Sequence, residues 1–336
     1  MSDTERSLSW AHGTLTVQRL GAMLAPVEFR LADGRSVEPL HVAPWADEPG
    51  TEALPGILRR LRGEWPCVPF GYSVPNDGWP TEWATVMGSA GEDEEVHGHS
   101  SNHEWNWQED DGHSLRLSLN YPQSSPVMRV ERLISPDPGA PAIDLTFRVI
   151  VRRPCRLPVG LHPVFRLPPE PGDAHLELGA FRVGHTYPHD VEPGKAAFAA
   201  NRCFRDLAAV PARAGGNIDA STLPLEMDTE ELLQIEGLDG RVALSNLAER
   251  YRAELTWDTR HFPSLLLWMS NRGRTAAPWN GRHLAIGIEP ICSPFGLGPA
   301  TALADNPIAL SGVPTAQDMS PDTPFETHYR IAASAL

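Results

Sequence analysis

Apolar residues along this chain recur mainly at every second position. Leu115, Leu117, Leu119 and Tyr121 fall on one side of an extended segment, and Ile143, Leu145, Phe147, Val149 and Val151 do so in the next. Successive side chains of a strand point to opposite faces, so a period of two predicts strands with one buried face. Leu15 to Leu31 reads as two short strands followed by a hairpin turn at Ala32-Asp33-Gly34-Arg35. Leu176 to Val183, Leu232 to Ile235, Val242 to Leu247, Ala253 to Trp257 and Leu265 to Met269 continue the series. Lys195 to Ala209 is less regular and is expected to be helical, and Ala212 to Asn217 reads as a flexible link. Repeated prolines between Pro39 and Pro69 exclude a regular central strand and predict a shaped loop. Arg272 to Arg282 reads as a polar loop, and Gly88 to Glu95 as an acidic surface loop. No internal repeat or composition break divides the chain. The expected architecture is all-β, one large antiparallel β-sandwich over residues 1–336.

Two segments carry a modified alternation. From Arg156, Leu157, Val159 and Leu161 share one face, and Pro158, Gly160 and His162 share the other. In Leu284 to Glu289, Leu284, Ile286 and Ile288 form an apolar wall, while Ala285, Gly287 and Glu289 form a bare face. Small residues in a strand mark places where a ligand or another backbone comes close. A histidine and a glutamate, each ending a strand with a cleared face, are suited to meet over a small molecule.

Composition narrows the partners. The chain has 28 glycines and 33 prolines, residues that punctuate turns and break helices, which favours many short strands. Its net charge of -15 repels phosphate backbones and anionic membranes, so neither nucleic acid nor a membrane is expected as a partner. No apolar run reaches the length of a membrane helix, and the polar Met1 to Arg6 has no signal-peptide core behind it. A cytoplasmic location is expected, with Cys67, Cys155, Cys203 and Cys292 as reduced thiols because no CxxC pair occurs. A homodimer is an assembly this surface leaves open.

Four pieces, in order, carry a family resemblance. They are Arg62-Gly63-Glu64-Trp65-Pro66-Cys67-Val68-Pro69-Phe70-Gly71, His97-Gly98 with Glu104-Trp105, Leu161-His162-Pro163-Val164-Phe165, and Ile288-Glu289-Pro290. Together they span about 230 residues and resemble the aldose 1-epimerase, or galactose mutarotase-like, superfamily, especially the bacterial branch that includes hexose-6-phosphate epimerases. The resemblance implies a supersandwich of antiparallel sheets with a sugar site on the concave face. It implies His162 as general acid and Glu289 as general base, with Arg62, His97, Trp105 and Phe165 around the sugar, although Trp105 and Phe165 suit the core as well as a sugar-stacking position. It places a hydroxyl-binding carboxylate near Asp228 or Glu231. The phosphate-binding branch carries an arginine where this chain has Ser101, so a neutral sugar is expected. Arg166 stands where relatives often carry asparagine.

Anomer interconversion needs a base for the anomeric hydroxyl proton and an acid for the ring oxygen, with the roles reversed on ring closure. An imidazole and a carboxylate can do both, and no metal or other cofactor is called for. A glycosidase would need two carboxylates flanking the bond. Two other readings stand beside this one. The first is a catalytically inactive carbohydrate-binding protein on the same fold. The second is a cupin-like metal enzyme, because Gly91, His97, His99 and Glu104 match much of that signature and His97 and His99 would share a strand face. Its second half is met only by Gly172 and His175.

Overall fold

The alternating segments assemble into two large antiparallel sheets in the computed structural model, which describes residues 4–89, 94–109 and 111–336. One sheet of nine strands runs from Thr222–Leu223 through Ala174–Glu177, Arg241–Asn246, Tyr251–Trp257, Phe325–Ala335, Ala142–Val151, Val127–Pro136 and Leu115–Asn120 to Asn106–Trp107. The other has eight strands. Its order is Cys203–Phe204, Val183–Thr186, Thr229–Glu236, Ser264–Asn271, Leu284–Cys292, Val159–Leu161 and Pro66–Cys67, and Val164–Arg166 also pairs with Leu284–Cys292. A smaller sheet joins Glu5–Trp10, Gly13–Gln18, Leu24–Arg30 and Ser36–Val37. The architecture is the expected all-β sandwich.

The eight-stranded sheet is covered on both faces. Within Ser264–Asn271, Leu265, Leu267 and Met269 enter the core shared with the nine-stranded sheet. Leu266 and Trp268 turn the other way, into a second cluster with Trp45, Trp65, Phe70 and Trp279. The segments that supply this second cluster include the proline- and tryptophan-rich stretch, Trp83, Trp279 of the Arg272–Arg282 loop, and Phe295, Leu297 and Ile308 beyond the strand Leu284–Cys292. A sheet buried on both sides reads as a continuous apolar run, which is why every residue of Ser264–Asn271 is buried. This second, loop-covered face holds the candidate site, with His162 and Glu289.

A buried charge cluster joins the layers. Arg132, from Val127–Pro136, pairs with Glu64 and also donates to the main-chain carbonyls of Ala22 and Glu64. The Tyr329 hydroxyl donates to the second Glu64 oxygen at 2.6 Å. Arg132, Glu64 and Tyr329 are all buried.

Three segments differ from the sequence reading. Leu176 to Val183 is not one strand, because Ala174–Glu177 belongs to the nine-stranded sheet and Val183–Thr186 to the eight-stranded one. Lys195 to Ala209 forms no α-helix; it contains the strand Cys203–Phe204 and a 3-10 turn at Leu207–Ala209. Its backbone donors are taken by other segments, Ala199 N–H by the Pro211 carbonyl and Asn201 N–H by that of Tyr187. Ala212 to Asn217 is the turn between the paired strands Val210–Pro211 and Asn217–Ile218.

Removing one partner of a buried ion pair leaves an uncompensated charge, at a cost of about 3–5 kcal/mol. Arg132→Met is therefore expected to lower unfolding stability by about that amount in denaturant titration. A loss under about 1 kcal/mol would show that the pair is not a structural tie.

Candidate active site

Register brings the histidine and the glutamate together. Val159–Leu161 pairs with Leu284–Cys292 so that Gly160 lies opposite Ile291, and Val164–Arg166 pairs with the same strand so that Val164 lies opposite Gly287. The two pairings share one register although His162 and Pro163 interrupt the strand, and that register sets His162 across from Glu289. Pro163 cannot donate a ladder hydrogen bond. Its carbonyl still accepts from Ile288 N–H at 2.9 Å, and His162 N–H donates to the Trp65 carbonyl at 2.8 Å.

The two side chains stand side by side. His162 Nε2 and Glu289 Oε1 are 3.6 Å apart, beyond a hydrogen bond but close enough to share a ligand. His162 Nδ1 and Glu289 Oε1 are buried without a hydrogen-bond partner among the described residues. Buried polar atoms are nearly always paired, so the unpaired Glu289 Oε1, which lines the cavity beside His162 Nε2, marks a place suited to a polar molecule. The imidazole is held between rings, stacked on Trp65 at 4.2 Å and met edge-on by His97 at 5.1 Å.

The two bare positions have different uses. A Cβ on Gly287 would come within 2.3 Å of Glu289 Oε1, so the missing side chain there is what lets the carboxylate fold back over the sheet. A Cβ on Gly160 would meet the Phe70 ring at 2.3 Å, so that gap is filled by protein.

Burial sets the protonation. It pushes the His162 imidazole well below its ordinary value, helped by the neighbouring His97, and it pushes the Glu289 carboxyl well above its own. These directions favour a neutral imidazole beside a protonated carboxyl, with one transferable proton between them. His97 is likewise lowered, to about 4, by burial and by the Arg274 charge. Its Nδ1 accepts from Gly71 N–H at 3.2 Å, which assigns the ring proton to Nε2.

His97, His162 and Glu289 line one cavity of about 640 Å³, the size of a small-molecule site. Leu232, Leu266 and Trp268 of the eight-stranded sheet form its floor, and Trp79, Tyr187 and Trp279 add aromatic surface. The sequence reading missed Trp268, Trp279 and Arg274. Arg274 lies 4.6 Å from the Trp279 ring and 3.4 Å from Glu230 Oε1. Glu230 also accepts from Trp268 Nε1 at 2.6 Å, fixing that indole in the floor. The signal for Arg274 and Trp279 was present as a cation and an aromatic in a loop otherwise read only as polar.

The structure does not bring the other expected sugar contacts into the cavity. Arg62 is buried outside it, with its guanidinium on Asp47 at 2.7 Å and on the Arg60 carbonyl at 3.1 Å. Trp105 is fully buried in the main core, its indole N–H on the Ser100 carbonyl at 2.9 Å. Phe165 points into the same core because it alternates with Val164. Asp228 is an exposed residue of the turn before Thr229–Glu236, and Glu231 accepts from Thr229 and from main-chain N–H groups of Ala197 and Phe198. Arg166 pairs with Glu249 at 2.7 Å.

The cupin-like arrangement is not formed. His97 and His99 share no strand face, since Gly98–Asn102 is a short helix and His97 precedes it in the left-handed region at φ 57°. His97 turns into the cavity, His99 meets Glu95, and Glu104 is exposed beside Arg19 at 3.5 Å. His175 sits on the nine-stranded sheet, and Gly91 lies outside the described residues, as does part of the expected acidic loop.

No family model matches the sequence, and no curated protein matches it. Solved structures do match over nearly the whole chain. A galactose mutarotase-like protein from Lactobacillus casei superposes with TM-score 0.62 at 12% identity, covering 98% of this chain and 99% of that one. A galactose mutarotase related enzyme from Lactobacillus acidophilus gives 0.60 at 14%, covering 98% and 97%. An aldose 1-epimerase candidate from Escherichia coli K12 gives 0.64 at 16%, covering 99% of each. The fold is therefore the galactose mutarotase-like β-sandwich. Among the described residues no helix is long and apolar enough to cross a membrane.

Imidazole titration tests this electrostatic picture without any substrate. By NMR, His97 is expected to protonate near pH 4 and His162 well below an ordinary histidine. A midpoint near the ordinary value for either would mean that its cavity wall admits water.

Proposed function

We propose that this protein is an aldose 1-epimerase-type isomerase that interconverts the anomers of a sugar by proton transfer between His162 and Glu289. The observation that carries the reading is the buried pair, 3.6 Å apart, with unsatisfied polar atoms in an aromatic-lined cavity. The fold shared with mutarotase-like proteins supports it.

The ring oxygen and the anomeric hydroxyl are bonded to the same carbon. Two adjacent groups on one sheet face therefore serve them better than two groups on opposite sides of the ring. One group gives its proton to the ring oxygen while the other takes the hydroxyl proton. The ring opens, the aldehyde turns, and closure runs the transfers backwards. The pair begins and ends with one proton, so no net exchange with solvent is required. With Glu289 protonated and His162 neutral, Glu289 is the first donor and His162 the first acceptor, the reverse of the order that the family resemblance implies.

The lining favours an uncharged sugar. Among the described residues, Arg274 is the only lysine or arginine that lines the cavity, and it already faces Glu230. Asp77, Asp190 and Glu192 also line the cavity. Ser101 is buried with its hydroxyl on the His97 carbonyl at 2.8 Å and does not line the cavity. A free hexose is expected to be turned over with higher kcat/KM than its 6-phosphate, and the opposite preference would reject this assignment.

Glu289→Gln keeps shape and removes the transferable proton. By NMR exchange spectroscopy it is expected to slow anomer exchange by about 10²–10⁴ while sugar affinity changes within severalfold. Near-parental exchange in this variant would sink the mechanism, and binding without exchange in the parent would make the protein a sugar-binding module. Gly287→Ala is expected to displace the Glu289 carboxylate, and to press on the Trp268 Cβ at 3.1 Å, at a cost of at least about tenfold in rate.

The pH profile has a defined sign. As pH falls through the lowered His162 value, the pair becomes doubly protonated; as it rises through the raised Glu289 value, it loses its shared proton. Activity is thus expected to hold across the ordinary imidazole range, with the acid limb from His162 and the alkaline limb from Glu289. These limbs report the pair as a unit. An acid limb at the ordinary imidazole value would contradict the burial.

A further inference from the structure

Beside the cavity, and outside it, three donor groups converge. Glu95 Oε2 lies 3.3 Å from His99 Nδ1, and Glu95 Oε1 lies 2.8 Å from His103 Nε2. The ligating atoms of the three residues all fall within 4.8 Å of one another. The two imidazoles are 3.8 Å apart between ring centroids, and His99 is backed by the Tyr121 ring at 4.8 Å.

We propose that Glu95, His99 and His103 form a site for a divalent transition-metal ion of the zinc, cobalt or nickel class. Two imidazole nitrogens and one carboxylate are the donors such ions select, at about 2.0–2.2 Å, whereas calcium and magnesium demand oxygen ligands. Donors held about 2.0–2.2 Å from one tetrahedral ion lie roughly 3.3–3.6 Å from one another. The three donors here fall within 4.8 Å, so small side-chain rotations that widen the 2.8 Å Glu95–His103 contact and draw in the more distant atoms would give all three a common cation in place of the shared protons. His99 and His103 are four residues apart across the helix Gly98–Asn102, the spacing at which helical side chains meet. The His103 side chain is 45% exposed, so the ion can enter and one position stays open to water.

The placement gives the ion a role. Glu95 precedes His97 and His99 follows it, so the ion would fasten the chain on both sides of the imidazole that forms part of the cavity wall. His97 has a left-handed backbone, uncommon for a residue with a Cβ, and that conformation needs support from its surroundings. The Asn102 side chain already ties the carbonyls of Val96 and Gly98, each at 2.8 Å, and the Ile57 N–H at 2.9 Å. The ion adds a second fastening to this segment and acts on the cavity through His97, with no part in the chemistry.

The test uses the purified full-length protein and the metal alone. Titration with Zn²⁺ by calorimetry, and with Co²⁺ by visible absorption, is expected to show one ion per chain. His103→Ala removes an exposed side chain and is expected to weaken binding at least tenfold, as is His99→Ala. Zn²⁺ is expected to slow amide exchange across residues 96–102 in the parent and not in His103→Ala, and Ca²⁺ is expected to do neither. Binding by His103→Ala as tight as the parent's, or no stoichiometric binding by the parent, overturns the site. Unchanged exchange at residues 96–102 with the ion bound overturns the positioning role.

Discussion

The site depends on a strand that is interrupted without losing register. Pro163 deprives the sheet of one ladder hydrogen bond, yet Gly160 still faces Ile291 and Val164 still faces Gly287. Because side chains alternate, a slip of one residue would turn His162 into the inter-sheet core and away from Glu289. The Ile288 and His162 main-chain hydrogen bonds hold the break open at the right place. The geometry of His162 and Glu289 is thus set by sheet pairing, which is stiff, and not by the surrounding loops.

The same sheet has to be covered on both faces, and this organises the rest of the molecule. One face packs against nine strands, and the other is roofed by irregular segments rich in tryptophan and proline. Such segments carry backbone groups that need partners away from water. The roof meets that need through His41 N–H on the Val164 carbonyl, Gly63 N–H on the His41 carbonyl, and the Glu64–Arg132–Tyr329 cluster at its edge. Arg132 and Tyr329 belong to the far sheet, so the roof over the cavity is anchored through the body of the sandwich.

What was legible in the sequence follows from these constraints. Strands with one buried face announced themselves, as Leu115–Asn120 and Ala142–Val151 did. The His162–Glu289 pair was legible because the bare positions around it broke the pattern. Alternation does not say which face is which, so in the sequence Phe165, one residue from Val164, fits the core as well as a sugar contact, and it packs between the sheets. Trp105 carries the same ambiguity: a buried aromatic and a cavity aromatic look alike in a string of letters. Arg62 illustrates a different limit. Its partner Asp47 lies in an irregular loop, and no periodicity pairs residues across such a loop. Trp268 stayed hidden in a run that is apolar throughout, where the period of two has no contrast.

Desolvation then changes the roles that residue types suggest. In water a carboxylate is the natural base and an imidazolium the natural acid. Buried side by side, both groups favour their neutral forms, so the carboxyl holds the proton and the imidazole offers the lone pair. The total charge of the pair is the same in either arrangement, and moving the proton across 3.6 Å interconverts them. A reaction that must run in both directions, opening from one anomer and closing to the other, is suited to such a pair, because neither group is fixed as donor. Under the proposed reading a sugar's two oxygens would bridge His162 Nε2 and Glu289 Oε1, giving the unpaired Glu289 oxygen a partner. The burial that makes ionisation costly would then make sugar binding and proton exchange parts of one event.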